Sequence, residues 1–177
     1  MGGGYGGGEA EGRRFAVLLC AEDSEYVKKV HGGYFKVFVS LLGEEGETWH
    51  VYRAARGELP PAEDVDSYDG FVISGSCSDA HGDDQWIRDL LSLLEALVSK
   101  KKQLLGVCFG HQVLLQVWEL PPNAEVMAES EKTGIEMFRL GFLQNCHAET
   151  AKASAEAGEP NREAWKKLCK AFLKSQL

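Results

Sequence analysis

Apolar residues along this chain fall into short continuous runs separated by longer stripes of helical period. Phe15-Ala16-Val17-Leu18-Leu19-Cys20-Ala21 is an unbroken apolar run, the pattern of a strand buried on both faces of a parallel sheet. After the Gly32-Gly33 break, Tyr34, Phe35, Phe38, Val39 and Leu42 share one face of a helix. From Thr48 to Arg53 the chain alternates, with Trp49 and Val51 on one side and His50 and Tyr52 on the other, which predicts a second strand; Pro60-Pro61 marks the loop after it. Phe71 to Ser74 is a third strand. Between Asp84 and Lys100 the residues Trp86, Ile87, Leu90, Leu91, Leu94, Leu97 and Val98 form a broad stripe. Lys100-Lys101-Lys102 then reads as a solvated helix end, with cations where a helix C-terminus prefers them. Leu104 to Val107 is a further short strand, running directly into a helix whose stripe is Val113, Leu114, Val117 and Trp118.

This alternation predicts an α/β fold, an open and mostly parallel sheet flanked by helices, with sites collecting at the carboxyl ends of the strands. Farther on, Glu125 to Ala128 and Ile135 to Phe138 read as two short strands. Asn161 to Leu173 reads as a last helix burying Trp165, Leu168, Cys169, Phe172 and Leu173.

Composition narrows the function classes. The 177 residues suit one domain over residues 14–177, preceded by a glycine-rich disordered tail at 1–13. With 27 acids against 19 bases, a net charge of −8 and no basic stripe, neither nucleic acid nor an anionic membrane surface is an expected partner. The five cysteines are an odd number without a C-x-x-C pair, which suits a reducing compartment. Residues Met1 to Gly8 carry no signal peptide, and the run Met1-Gly2 fails as a myristoylation motif because Gly6 stands where Ser or Thr is needed. A soluble, cytosolic protein is expected.

The chemistry centres on Cys108, placed between the strand and the helix just described. Gly106 and Gly110 lie two residues either side of it, the spacing of a nucleophile elbow, whose sharp turn needs neighbours without a Cβ. The unpaired amides and dipole of a helix N-terminus favour negative charge on sulfur at such a place. The N–H of Phe109 is available to an oxyanion there. Ser74-Gly75-Ser76 ends a neighbouring strand, so the N–H of Gly75 or Ser76 supplies a second donor, although spacing alone equally fits a glycine kept for a tight turn. Cys20, Cys146 and Cys169 read as small buried hydrophobes. Asp79, His81, Asp83 and Asp84 match no ligand spacing and read as a polar loop with a helix N-cap at Asp83 or Asp84, so no metal site is assigned.

Gly106-Val107-Cys108-Phe109-Gly110-His111-Gln112 resembles the G-[ILV]-C-x-G-H-Q signature of class I glutamine amidotransferases. Asp69-Gly70-Phe71-Val72-Ile73-Ser74-Gly75-Ser76, with Asp79-Ala80 and Asp84-x-Trp86-Ile87, narrows the resemblance to the plant γ-glutamyl peptidases. Gly32-Gly33-Tyr34-Phe35 and Glu159-Pro160-Asn161-Arg162-x-x-Trp165 add to it. The resemblance implies a flavodoxin-like sheet and hydrolysis of γ-glutamyl amide bonds, as in glutathione-type conjugates. It implies Cys108 as the nucleophile, Gly75 and Phe109 as the oxyanion donors, a small γ-glutamyl substrate as the partner, and no cofactor. His111 belongs to the signature without being the family's general base.

The chain also departs from that pattern. Ser-Gly-Ser stands where many members carry Gly-Gly-Pro, which fits the peptidase branch. The G-H-P-E segment that supplies the family's base and its orienting carboxylate is missing, and Val117-Trp118-Glu119-Leu120-Pro121-Pro122 follows the elbow as though an intervening block were absent. His147-Ala148-Glu149 has the same two-residue offset. It lies in an alanine- and glutamate-rich stretch of helical character, where residues two apart diverge by about 200°. Two readings follow: a cysteine-dependent γ-glutamyl hydrolase, or a non-catalytic, C-terminally shortened member or incomplete gene product that keeps the elbow without its base. A shortened open sheet leaves an exposed edge, and self-association through it is expected.

Overall fold

The computed structural model describes residues 12–117, 124–130, 134–140 and 162–174. Four strands, β1 (Arg14–Leu18), β2 (Thr48–Tyr52), β3 (Gly70–Ile73) and β4 (Gln103–Gly106), lie in the order β2-β1-β3-β4, and each pairing is parallel. Parallel neighbours need crossovers. Helices α1 (Glu25–His31) and α2 (Tyr34–Leu42) carry the chain from β1 to β2, and α3 (Gln85–Ser99) carries it from β3 to β4. Helix α4 (Phe109–Val117) leaves β4 almost at once. The strands β5 (Ala124–Ser130) and β6 (Gly134–Leu140) form a separate antiparallel pair, close to the two strands read from the sequence, and α5 (Arg162–Leu173) follows. The open parallel sheet flanked by helices is therefore the fold of this chain.

The period-two alternation of the strands sorts side chains into two cores. Ala16, Leu18, Phe71 and Ile73 face Ile87, Leu90, Leu94 and Leu97 of α3 and Phe109 and Val113 of α4. Phe15, Val17 and Val72 face the opposite side, with Leu42 of α2 and Leu173 of α5. Trp49 and Val51 join this second core while Tyr52 joins the first, as the alternation in β2 requires. Full burial of one such side chain stabilises by about 1.5–3 kcal/mol, and β1 and β3 each bury at least four residues in succession.

Several local expectations are corrected. Helix α1 was not foreseen from periodicity, because it has no buried residue. Its ends are set by capping: Ser24 accepts a hydrogen bond from the N–H of Val27, and Gly32 closes the helix in the left-handed region at φ 74°. The lysine run after α3 is more than a solvated end. Lys100 Nζ binds both oxygens of Asp66 at 2.8 and 2.9 Å, and Lys102 Nζ donates to the carbonyls of Asp66 and Tyr68, so the run fastens the turn before β3. Asp84 is the N-cap residue of α3 by position, but its side chain makes no capping hydrogen bond. In α5 only Ala164 and Leu173 are buried, whereas Trp165, Leu168, Cys169 and Phe172 are half-buried. The helix joins the second core through Leu173 and Cys169, near its C-terminal end.

At that end of α5, Lys174 is buried with its Nζ 2.7 Å from Glu47 Oε1 and 2.9 Å from Glu44 Oε2. Arg13 donates to the Lys174 carbonyl at 2.9 Å. These contacts tie the end of α5 to the residue before β1 and the turn before β2, at the amino ends of the strands.

Candidate active site

The turn from β4 into α4 is built by two glycines that cannot carry a side chain. A Cβ on Gly106 would sit 2.6 Å from the carbonyl carbon of Gly110 and 2.7 Å from the nitrogen of His111. A Cβ on Gly110 would sit 2.8 Å from the carbonyl carbon of Ile73. Real Cβ atoms do not approach backbone so closely, so β3, β4 and α4 meet at this spot only because both positions are glycine. Between them Cys108 has φ 54°, in the left-handed region that a residue with a Cβ seldom occupies.

Hydrogen bonds hold that conformation from both sides. The N–H of Val107 donates to the Ile73 carbonyl at 3.0 Å, continuing the β3–β4 ladder by one residue. The N–H of Gly110 donates to Val107, and that of Gln112 to Cys108, each at 3.0 Å, opening α4. Phe109 anchors the turn from below: its side chain is fully buried and stacks on Trp86 with ring centroids 5.5 Å apart. A strained residue, an anchor beneath it and a packed turn around it leave the Cys108 side chain exposed at the carboxyl end of β4.

Gly75 reaches the same place from the next strand. A Cβ at Gly75 would lie 3.5 Å from the Cβ of Cys108, at van der Waals distance, so the loop after β3 passes beside the elbow. Ser74, which the sequence reading left without a role, sets the course of that loop. It is buried, its Oγ accepts from the N–H of Cys20 at 2.8 Å, and its own N–H donates to the Leu18 carbonyl at 3.0 Å. The ends of β1 and β3 are thereby joined by a side-chain bond where regular pairing stops. Elsewhere on this rim Arg56 grips Glu22 with two hydrogen bonds of 2.5 and 2.6 Å, which hold the Glu22 carboxyl below its ordinary range.

The remaining candidates separate from this centre. The Asp79 carboxylate accepts from the N–H of His81, and Gln116 of α4 donates to the Ala80 carbonyl, so the acidic loop is organised by its own hydrogen bonds. Among the described residues no cluster of His, Cys, Asp and Glu is arranged to hold a metal ion. Cys20 is buried as expected, and burial pushes its thiol up to about 12. Cys169 is only half-buried, although burial still raises its thiol above the ordinary value. Cys77, which the apolar pattern did not single out, is exposed in the loop after β3. Cys146, His147 and Glu149 lie outside the described residues. Among the described residues no helix is long and apolar enough to cross a membrane.

Comparison with known proteins agrees with this architecture. No family model matches the chain. The chain is 35% identical to γ-glutamyl peptidase 5 of Arabidopsis thaliana over 244 aligned positions, covering 94% of this chain and 97% of the relative. It is 34% identical to γ-glutamyl peptidase 3 of the same plant, covering 92% and 97%. A shorter alignment with γ-glutamyl peptidase 2 reaches 50% identity over 105 residues, 59% of this chain and 42% of the relative. An alignment of 244 positions is longer than the 177 residues available, so stretches inside the relative stand opposite no residue here. Among solved structures, a glutamine amido transferase from Methylobacillus flagellatus superposes with a TM-score of 0.55 at 16% identity, covering 94% of this chain and 93% of that one. A glutamine amidotransferase from Thermotoga maritima gives 0.51 at 17% identity, covering 94% and 96%. Fold, elbow and kinship agree: this chain is a shortened member of the γ-glutamyl peptidase family, on the class I glutamine amidotransferase fold.

Proposed function

We propose that this chain presents the nucleophile of a cysteine-dependent hydrolase of γ-glutamyl amide bonds, with glutathione-type conjugates as the substrate class. The observation that carries this reading is Cys108 itself: an exposed thiol held at φ 54° between two sterically obligatory glycines. Strain of about 1–2 kcal/mol at a non-glycine residue persists where the surrounding packing imposes it, and such strain concentrates at functional sites.

In this mechanism the Cys108 sulfur attacks the γ-carbonyl carbon of the substrate. The carbonyl oxygen becomes an oxyanion, and the N–H groups of Gly75 and Phe109 are its donors. Collapse of the tetrahedral intermediate expels the amine and leaves a thioester on Cys108, which water hydrolyses to the free γ-carboxylate. The cycle uses no metal and no organic cofactor. A base must take the thiol proton and return it to the leaving amine.

A second reading, a non-catalytic member, is favoured by one observation. The sequence contains no G-H-P-E segment, and the alignment passes over internal stretches of the relatives. Removing one member of a catalytic triad typically costs several powers of ten in rate. Mass spectrometry of the intact chain mixed with a γ-glutamyl substrate separates the two. A thioester adduct on Cys108, lost in Cys108→Ala, supports the hydrolase; a chain with neither adduct nor turnover is the non-catalytic member.

A further inference from the structure

We propose that Cys77 and Cys108 form a reversible disulfide, with Cys108 the thiol that is oxidised and Cys77 the thiol that resolves it. Both are exposed, whereas Cys20 is buried and Cys169 half-buried. They stand at the carboxyl ends of adjacent strands, β3 and β4, whose last paired residues are Ile73 and Gly106.

The loop after β3 brings the two together. At Gly75 it runs beside the elbow, since a Cβ there would be 3.5 Å from the Cys108 Cβ. Cys77 is two residues farther along, so its Cα is within about 7.6 Å of the Gly75 Cα. A disulfide spans roughly 4.4–6.8 Å between Cα atoms. The bond therefore forms when the exposed loop closes over the elbow. That closure displaces little packing: Cys77, Ser78 and Asp79 are exposed, and the turn is held by its own bond from the Ser78 N–H to Ser76 Oγ at 3.1 Å.

With hydrogen peroxide as oxidant, the step balances. The Cys108 thiolate attacks one peroxide oxygen, the O–O bond breaks, and the departing hydroxide is protonated to water, leaving a sulfenic acid. The Cys77 thiol then attacks the Cys108 sulfur. An S–S bond forms, the S–O bond breaks, and hydroxide leaves as water with the Cys77 proton. Two thiols have lost two electrons and two protons, and peroxide has become two waters. No imidazole takes part, so this chemistry goes beyond the proposed hydrolysis and stands whether or not that activity is present.

The test uses the full chain, treated with low hydrogen peroxide, alkylated and digested with trypsin. Cleavage after Arg56 and Arg88 isolates Cys77 in peptide 57–88, and cleavage after Lys102 and Lys132 isolates Cys108 in peptide 103–132. The expected product is these two peptides joined, cleaved again by dithiothreitol and formed at a rate independent of protein concentration. In Cys77→Ser and in Cys77→Ala, both changes at an exposed position, the joined species disappears and Cys108 accumulates as sulfenic and sulfinic acid. A wild-type chain whose Cys108 is over-oxidised or joined to any other peptide, while Cys77 remains open to alkylation, overturns the proposal.

Discussion

Gly110 is seated against Ile73 so closely that a Cβ on the glycine would lie 2.8 Å from the carbonyl carbon and nearer still to its oxygen. The same carbonyl accepts the Val107 N–H, so it cannot withdraw without breaking the last rung between β3 and β4. Gly110→Ala is therefore expected to cost about 1–3 kcal/mol, the usual range for forcing extra volume into a packed site. Urea unfolding measures the loss. A Gly110→Ala chain of unchanged stability would mean that the packing described for the elbow is wrong.

Cys108 separates stability from reactivity. Alanine at this position keeps the left-handed strain, whereas glycine relieves it. Cys108→Gly is expected to be more stable than Cys108→Ala by about 1 kcal/mol, with both variants equally inert toward thiol reagents at this site. Comparing the two unfolding midpoints checks the strain directly.

The Cys20 thiol is pushed up to about 12 by burial, from an ordinary value of 9.0. A raised value in the folded state means that the unfolded chain releases this proton first. The contribution is intact below about pH 9 and is lost as the pH rises toward 12, at up to about 1.4 kcal/mol per pH unit. Cys20→Ala lowers overall stability but flattens this alkaline slope. In the native chain, iodoacetamide at pH 8 is expected to label Cys77 and Cys108 while leaving Cys20 unmodified.

Lys174 and Glu47 are buried together, with the lysine side chain fully enclosed and the glutamate nearly so. Glu47 also accepts from the Glu44 N–H and from Trp49 Nε1, and Lys174 also meets Glu44, so the two charges are not equally dependent on one another. Lys174→Met, which takes the cation from the buried Glu47, is expected to lose about 3 kcal/mol, Glu47→Leu less because Glu44 remains beside the lysine, and the double variant recovers part of the loss. Urea denaturation of the four chains gives the coupling. Glu44 adds a pH dependence, because the hydrogen bond from Lys174 holds its carboxyl below the ordinary 4.5. That contribution is present above 4.5 and fades as the pH falls through the lowered value.

Strand β4 pairs on one side only among the described residues, with β3. An edge of this kind offers unpaired backbone groups to another chain. We propose that the purified protein self-associates through it, which sedimentation across a range of concentrations tests. A strictly monomeric species that melts cooperatively would count against this.

What the sequence made legible follows from where periodicity carries information. β1 and β3 were readable because both their faces are covered, leaving unbroken apolar runs. The elbow was readable because close approach demands glycine at fixed offsets, and Gly106 and Gly110 meet backbone in just that way. Helix α1 was not, since Tyr26 and Val30 are exposed and no stripe faces inward; its only signals were the cap at Ser24 and the break at Gly32. The lysine run was legible as an exposed helix end but not as a fastening, because its partners, Asp66 and Tyr68, lie more than thirty residues upstream, where no local pattern points to them. Cys77 looked like any other loop residue. Its meaning comes from the nearness of Gly75 to Cys108, which brings together two strand ends far apart in the chain.

The parts that force Cys108 into its turn all belong to residues 70–117: the β3 carbonyl, the β4 ladder, the first turn of α4 and the Trp86–Phe109 stack beneath. After α4, α5 packs through Leu173 and Cys169 against Val72 of β3 and Leu105 of β4, in the second core. The strained turn at Cys108 is thus assembled locally, from a run of under fifty residues that carries its own glycines, its own ladder and its own aromatic footing.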